Sequence, residues 1–106
     1  MRKDIIYNNS HLIVYVVNLC DYGDRGDYEV FCDHDLNVNL AEKTDGLINN
    51  GFSMEYEDSE VLIFKKEGTE FTFYADGRLI IEGLRPKDME KALKIAAGII
   101  GFYGAD

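Results

Sequence analysis

Apolar residues along this chain follow two spacings, and each spacing predicts a kind of element. In YEVFCD (28–33) they alternate with polar ones, so Tyr28, Val30 and Cys32 share one side of a strand and Glu29, Phe31 and Asp33 the other. FSMEY (52–56), VLIFKK (61–66), EFTFY (70–74) and RLIIEG (78–83) predict a four-stranded meander, with turns at Asp58-Ser59, Glu67-Gly68 and Ala75-Asp76-Gly77. HLIVYVVNL (11–19) is a further strand, apolar enough for burial on both faces. CDYGDRGD (20–27), with its Gly and Asp residues, predicts a loop.

A 3.6-residue spacing marks two helices. In NLAEKTDGLINNG (39–51), Asn39 and Glu42 fit a capping box, Leu40, Thr44, Leu47 and Ile48 line one face, and Gly51 is placed for a left-handed C-terminal residue. The second helix is predicted to begin at Pro86, a favoured first-turn position, with Met89, Ala92, Leu93, Ala96, Ile99 and Ile100 as its apolar stripe.

The last hairpin specifies its own register. Phe71 and Phe73 share a face, as do Leu79 and Ile81, and both pairs reach one core only if Phe73 opposes Leu79 and Phe71 opposes Ile81. That demands a three-residue loop, Ala75-Asp76-Gly77, with Gly77 left-handed. A two-residue Glu67-Gly68 turn then adds Leu62 and Phe64 to the same core. The opposite face shows Val61, Ile63, Thr72, Tyr74, Arg78, Ile80 and Glu82, too apolar for a wet sheet surface and too polar for a core. Mixed patches of this kind mark contact with something; cover by the N-terminal strands or the chain ends would also account for it.

Composition narrows what that contact is. The 106 residues suit one domain, and 46% hydrophobic content with seven Tyr and six Phe suits a packed one. Eleven basic against 20 acidic residues give a formal charge of −9, which opposes nucleic acid and anionic membranes and suits solubility or a basic partner. MRKDIIYNNS lacks the apolar core of a signal peptide, and LIVYVVNL is too short to span a membrane. The expected location is the cytoplasm, where the Asn8-Asn9-Ser10 sequon and the Arg25-Gly26-Asp27 tripeptide carry no meaning.

Strand, helix, four-stranded meander and helix, together with EFTFYADGRLIIEGLRPKDMEKALKIAAGIIGF, resemble one half-repeat of the TATA-binding protein family over roughly residues 28–103. The resemblance is carried by patterning and by Gly77 and Gly83, and small single-unit proteins of that fold resemble the chain equally. It implies a sheet with one working face, which that family inserts into the DNA minor groove using apolar wedges. Tyr74 falls where the family has a wedging Phe, and Arg78 where it has a basic residue. Against this, Asp58-Ser59-Glu60 stands where a second Phe is expected, Glu82 replaces a small hydroxyl residue, and there is one repeat instead of two.

Explicit chemistry is sparse. Cys32-Asp33-His34-Asp35, with Cys20 and Asp21, concentrates potential ligands but lacks zinc spacing, and consecutive strand residues point apart. A Cys32 or Cys20 nucleophile would need His34 or His11 within reach. Asp21, Asp24 and Asp27 lack the order of a calcium loop. Gly98, Gly101 and Gly104 do not follow a strand as a phosphate cradle would. No catalytic residue, metal or cofactor is implied, and whether Cys20 and Cys32 pair is open.

The expectation is a single α+β domain, an antiparallel sheet of five or six strands with two helices on one face. Its expected function is non-enzymatic: Val61, Ile63, Tyr74, Arg78, Ile80 and Glu82 contact a protein partner or a second copy. The alternative is a small-molecule site, with or without catalysis, between the sheet and the N-terminal segment; DNA binding ranks third.

Overall fold

The computed structural model describes residues 1–101. Its elements run β1 (Arg2–Tyr7), β2 (Ser10–Tyr22), β3 (Arg25–Cys32), α1 (Leu40–Asn49), β4 (Ser53–Glu57), β5 (Val61–Lys66), β6 (Thr69–Tyr74), β7 (Leu79–Leu84) and α2 (Met89–Gly101). The strands pair antiparallel in one seven-stranded sheet, in the order β1-β2-β3-β7-β6-β5-β4. The fold is thus α+β with two helices, and the sheet is wider than the five or six strands expected. No described helix is long and apolar enough to cross a membrane.

The additional strand is β1. Its sequence RKDIIY shows little apolar alternation, yet it pairs with β2 from Arg2↔Tyr15 to Tyr7↔Ser10. Asn8 and Asn9 close that hairpin at φ 50 and 63, a conformation Asn tolerates better than most side chains. The predicted 20–27 loop also contracts. Pairing continues to Tyr22↔Arg25, and Gly23 at φ 63 opens a two-residue turn. A bulge between Asn18 and Cys20 absorbs the register change.

Register in the meander follows the apolar pairs. Phe73 opposes Leu79, Phe71 opposes Ile81, and Leu62 and Phe64 oppose Phe73 and Phe71. The Tyr74 N–H donates to the Arg78 carbonyl at 2.9 Å, closing the three-residue loop, and Gly77 takes φ 97. These side chains, with Leu12, Val14, Val16 and Val30, form one face of a core completed by Ala92, Leu93, Ala96, Ile99 and Ile100 of α2 and Leu40 and Leu47 of α1.

α1 starts as expected with Asn39 at its cap position, whereas α2 starts later than expected. α2 begins at Met89, and its cap is Asp88, whose carboxylate accepts the Lys91 N–H at 3.2 Å; Pro86 lies ahead of the helix. Asn39 makes no side-chain cap bond, so the capping box with Glu42 does not form. The lead-in is tied elsewhere, with Leu36 N–H on the Asp76 carbonyl and Val38 N–H on the Ala75 carbonyl. The end of α1 is as expected: Gly51 at φ 91, with Gly51 N–H to Ile48 and Phe52 N–H to Leu47, makes a Schellman motif. The buried face of α1 is rotated, however. Lys43 is buried, while Ile48 is exposed. Of the three spaced C-terminal glycines, Gly98 and Gly101 lie in α2 and Gly104 lies outside the described residues.

Candidate functional site

With core residues on one side of every central strand, alternation puts the others on a second face. Val61 opposes Tyr74, Ile63 opposes Thr72, and Thr72 opposes Ile80. Glu70 opposes Glu82. Val61, Ile63, Tyr74, Arg78, Ile80 and Glu82 therefore do share a surface. Among the described residues no element covers it, because β1 and β2 extend the sheet sideways instead of folding over it.

Sequence reasoning missed the other half of this face. The β3–β7 pairing sets Glu29 beside Ile80, and the β2–β3 pairing sets Tyr15 beside Phe31 and Val17 beside Glu29. Tyr15 and Phe31 stack with centroids 5.5 Å apart. β2 is accordingly not buried on both faces: Ile13 and Tyr15 are half-buried and Val17 is 42% exposed. The alternation in YEVFCD was the available signal, but it does not say which strands flank it. Partial exposure across the face comes from neighbouring side chains standing upright and shielding one another, not from a covering element.

Two rows give the face its character. One carries Val17, Glu29, Ile80, Thr72, Ile63 and, past a bulge in β4, Tyr56. The next carries Glu82, Glu70 and Lys65. Lys65 lies 3.0 Å from Glu55 and 4.0 Å from Glu70, so its charge is divided. Arg78 is committed locally, with Nε 3.1 Å from the Asp76 carboxylate and its guanidinium 4.4 Å from the Tyr74 ring centre. Among the described residues, neither Glu29 nor Glu82 has a cationic side chain within ion-pair distance.

The remaining sequence candidates are dispersed. Cys32 faces the Gly77 carbonyl, and burial, helped by Asp33 and Asp76, pushes its thiol up to about 11. A thiol so raised is protonated at neutral pH and a poor nucleophile. His34 pairs with neighbouring Asp33 at 3.0 Å. Asp24 binds Arg85 at 2.7 Å, Asp21 lies 4.0 Å from Lys87, and Asp27 accepts the Gly83 N–H at 2.8 Å. Among the described residues no group of three or more His, Cys, Asp or Glu gathers to hold a metal ion.

β1 is hydrogen-bonded into the sheet, and a hollow of about 250 Å³ lies between its residues Arg2 and Lys3 and Glu90, Leu93 and Lys94 of α2. Another, of about 160 Å³, is lined in part by Phe71, Leu84, Arg85, Lys91 and Ile95. Both are smaller than the roughly 300–1,000 Å³ of ordinary ligand sites, and two open hollows of about 310 and 320 Å³, beside Leu40 and Leu62 and beside Met54 and Tyr56, only reach the lower end of that range. Three of the polar groups around the 160 Å³ hollow are engaged elsewhere: Lys66 donates to the Asn50 carbonyl, Thr69 to the Gly83 carbonyl and Arg85 to Asp24. No family model matches the chain, and neither does any curated protein or solved structure.

Proposed function

We propose that the protein is a non-enzymatic interaction module that contacts another protein, or a second copy of itself, through the open face of its sheet. Val61, Ile63, Tyr74, Arg78, Ile80 and Glu82 form one half of the contact, and Tyr15, Phe31 and Glu29 the other. The observation that carries this reading is the continuous cross-strand series of Ile80, Thr72 and Ile63 on a face that no described element covers. A contiguous row of partly exposed apolar side chains, edged by polar ones, marks a contact surface. The order β3, α1, β4 to β7, α2 supports the likeness to a TATA-binding-protein half-repeat, and the same open face is the one that likeness implies. DNA is disfavoured as the occupant because Glu82 and Glu70 would meet phosphates. The proposed location is cytoplasmic.

The test is a photo-crosslinking residue at Tyr74, compared with one at Lys94 on α2, in the native cell. Adducts specific to position 74 are the expected result. Equal yields at both positions, or none at 74, overturn the reading.

A further inference from the structure

We infer that the occupant of the open face is a basic protein segment with an apolar side. This rests on the reading of that face as a contact surface and names the chemistry of what it contacts. Glu70 and Glu82 stand directly opposite each other, an arrangement that is unfavourable unless a cation intervenes. Lys65 supplies part of one charge at 4.0 Å while pairing more closely with Glu55. Glu29 adds a third carboxylate beside Ile80, and Asp27 precedes it on the same side of β3. The apolar row is thus edged on one flank by Asp27, Glu82 and Glu70, with Lys65 and, two residues before Asp27 on the same side of β3, Arg25 beside them. On the opposite flank Arg78 is held by Asp76 and Tyr74, and Arg2 stands on the edge strand opposite Tyr15.

A second copy meets this pattern badly. If two faces stack with their β7 strands antiparallel about Ile80, Arg78 reaches the other copy's Glu82, but Glu29 is level with Ile80 and meets its own counterpart. If they stack parallel, Glu82 meets Glu82. Each body also carries a formal charge of −9. A single helix or strand pair carrying Lys or Arg along one side and aliphatics on the other matches the charge pattern.

The experiment titrates the intact, isotope-labelled chain with a peptide of alternating Leu and Lys, followed by amide chemical shifts. A Leu–Glu peptide of the same length is the control. Shifts concentrated at Ile63, Thr72, Ile80 and Glu82, with affinity falling about tenfold in Glu70→Gln/Glu82→Gln, are expected. The variant Glu42→Gln/Glu90→Gln, with the same charge change on the helices, should bind as wild type does. Equal loss in both double variants, or shifts spread over other acidic surfaces, overturns the inference. A wild-type dimer in light scattering that Ile80→Glu disperses also overturns it, in favour of a second copy, while leaving the contact face intact. A monomer whose face no peptide shifts, together with silence of the Tyr74 crosslinker, defeats the contact-face reading itself.

Discussion

The Lys43 ammonium, on α1, donates to the Ile100 carbonyl at 2.7 Å, near the end of α2. Lys43 is 2% exposed. This contact joins the two helices and places a cation where the carbonyl end of α2 favours one. Burial is costly for the charge, and it lowers the Lys43 pKa from the ordinary 10.5 to about 8, with Glu42 opposing part of that shift.

A pH dependence of known sign follows. Between about 8 and 10.5 the unfolded chain holds more protons at this lysine than the folded chain does, so its contribution to stability rises with pH. That contribution is complete above the unfolded value and is lost as pH falls through about 8. Wild type should therefore gain stability relative to Lys43→Met between pH 7 and pH 9.5. Urea denaturation of both proteins at several pH values checks it, and titration of Cys32 and the tyrosines cancels in the difference. Parallel pH profiles would show that Lys43 is not desolvated as described.

Two turn glycines should differ in how badly they accept a side chain. Gly68 and Gly77 both have positive φ, 81 and 97, so alanine is strained at either. A Cβ at Gly68 meets nothing within 4 Å, whereas at Gly77 it lies 2.9 Å from Leu36 Cδ1. Gly68→Ala should cost about 1–2 kcal/mol, the usual left-handed penalty. Gly77→Ala should cost about 1 kcal/mol more, because Leu36 also helps tie the segment before α1 to the β6–β7 loop. Equal losses in chemical denaturation would mean that Leu36 moves aside freely.

That loop also shows what local sequence can encode. Phe71, Phe73, Leu79 and Ile81 admit one register that buries all four, so loop length, Gly77 and half of the open face were legible together. The other half depends on β3 pairing with β7, a contact of Glu29 with Ile80 across fifty-one positions of chain, which no local pattern specifies. β1 was illegible for a different reason: an edge strand buries little, so Arg2, Lys3 and Asp4 can occupy it without cost. The burial of Lys43 in place of Ile48 is tertiary as well. A lysine on that face is tolerable only because the Ile100 carbonyl waits there.

The cysteines should behave independently. Cys20 is exposed and pairs in register with Asp27, whereas Cys32 is half-buried opposite Val14. Five positions of extended strand separate Asp27 from Cys32, about 17 Å, far beyond the roughly 7 Å Cα limit of a disulfide. Iodoacetamide at pH 8 should label Cys20 first, with Cys32 labelled at a comparable rate only in denaturant, as peptide mass mapping will show. An intramolecular Cys20–Cys32 bridge in the folded protein would contradict the strand register.

Asp27 separates the fold from the proposed contact. Its Oδ1 accepts the Gly83 N–H at 2.8 Å and the Tyr22 hydroxyl at 2.9 Å, joining the β2–β3 turn region to the bulge where β7 leaves its register with β3. The hydrogen bond to Asp27 is also the main cause of the raised Tyr22 pKa. Asp27→Ala strands the Gly83 N–H and should destabilise by about 1–3 kcal/mol. Asp27→Asn keeps an acceptor oxygen in place, so most of that stability should remain, while Tyr22 titrates closer to 10 because the anionic partner is gone. The same substitution removes one carboxylate from the flank of the open face and should weaken binding of the Leu–Lys peptide. Denaturation, tyrosine absorbance and peptide titration on these two variants give three separate readouts. An Asn variant as unstable as the Ala variant would mean that the charge, not the acceptor, holds Gly83, and unchanged peptide affinity would take Asp27 out of the contact.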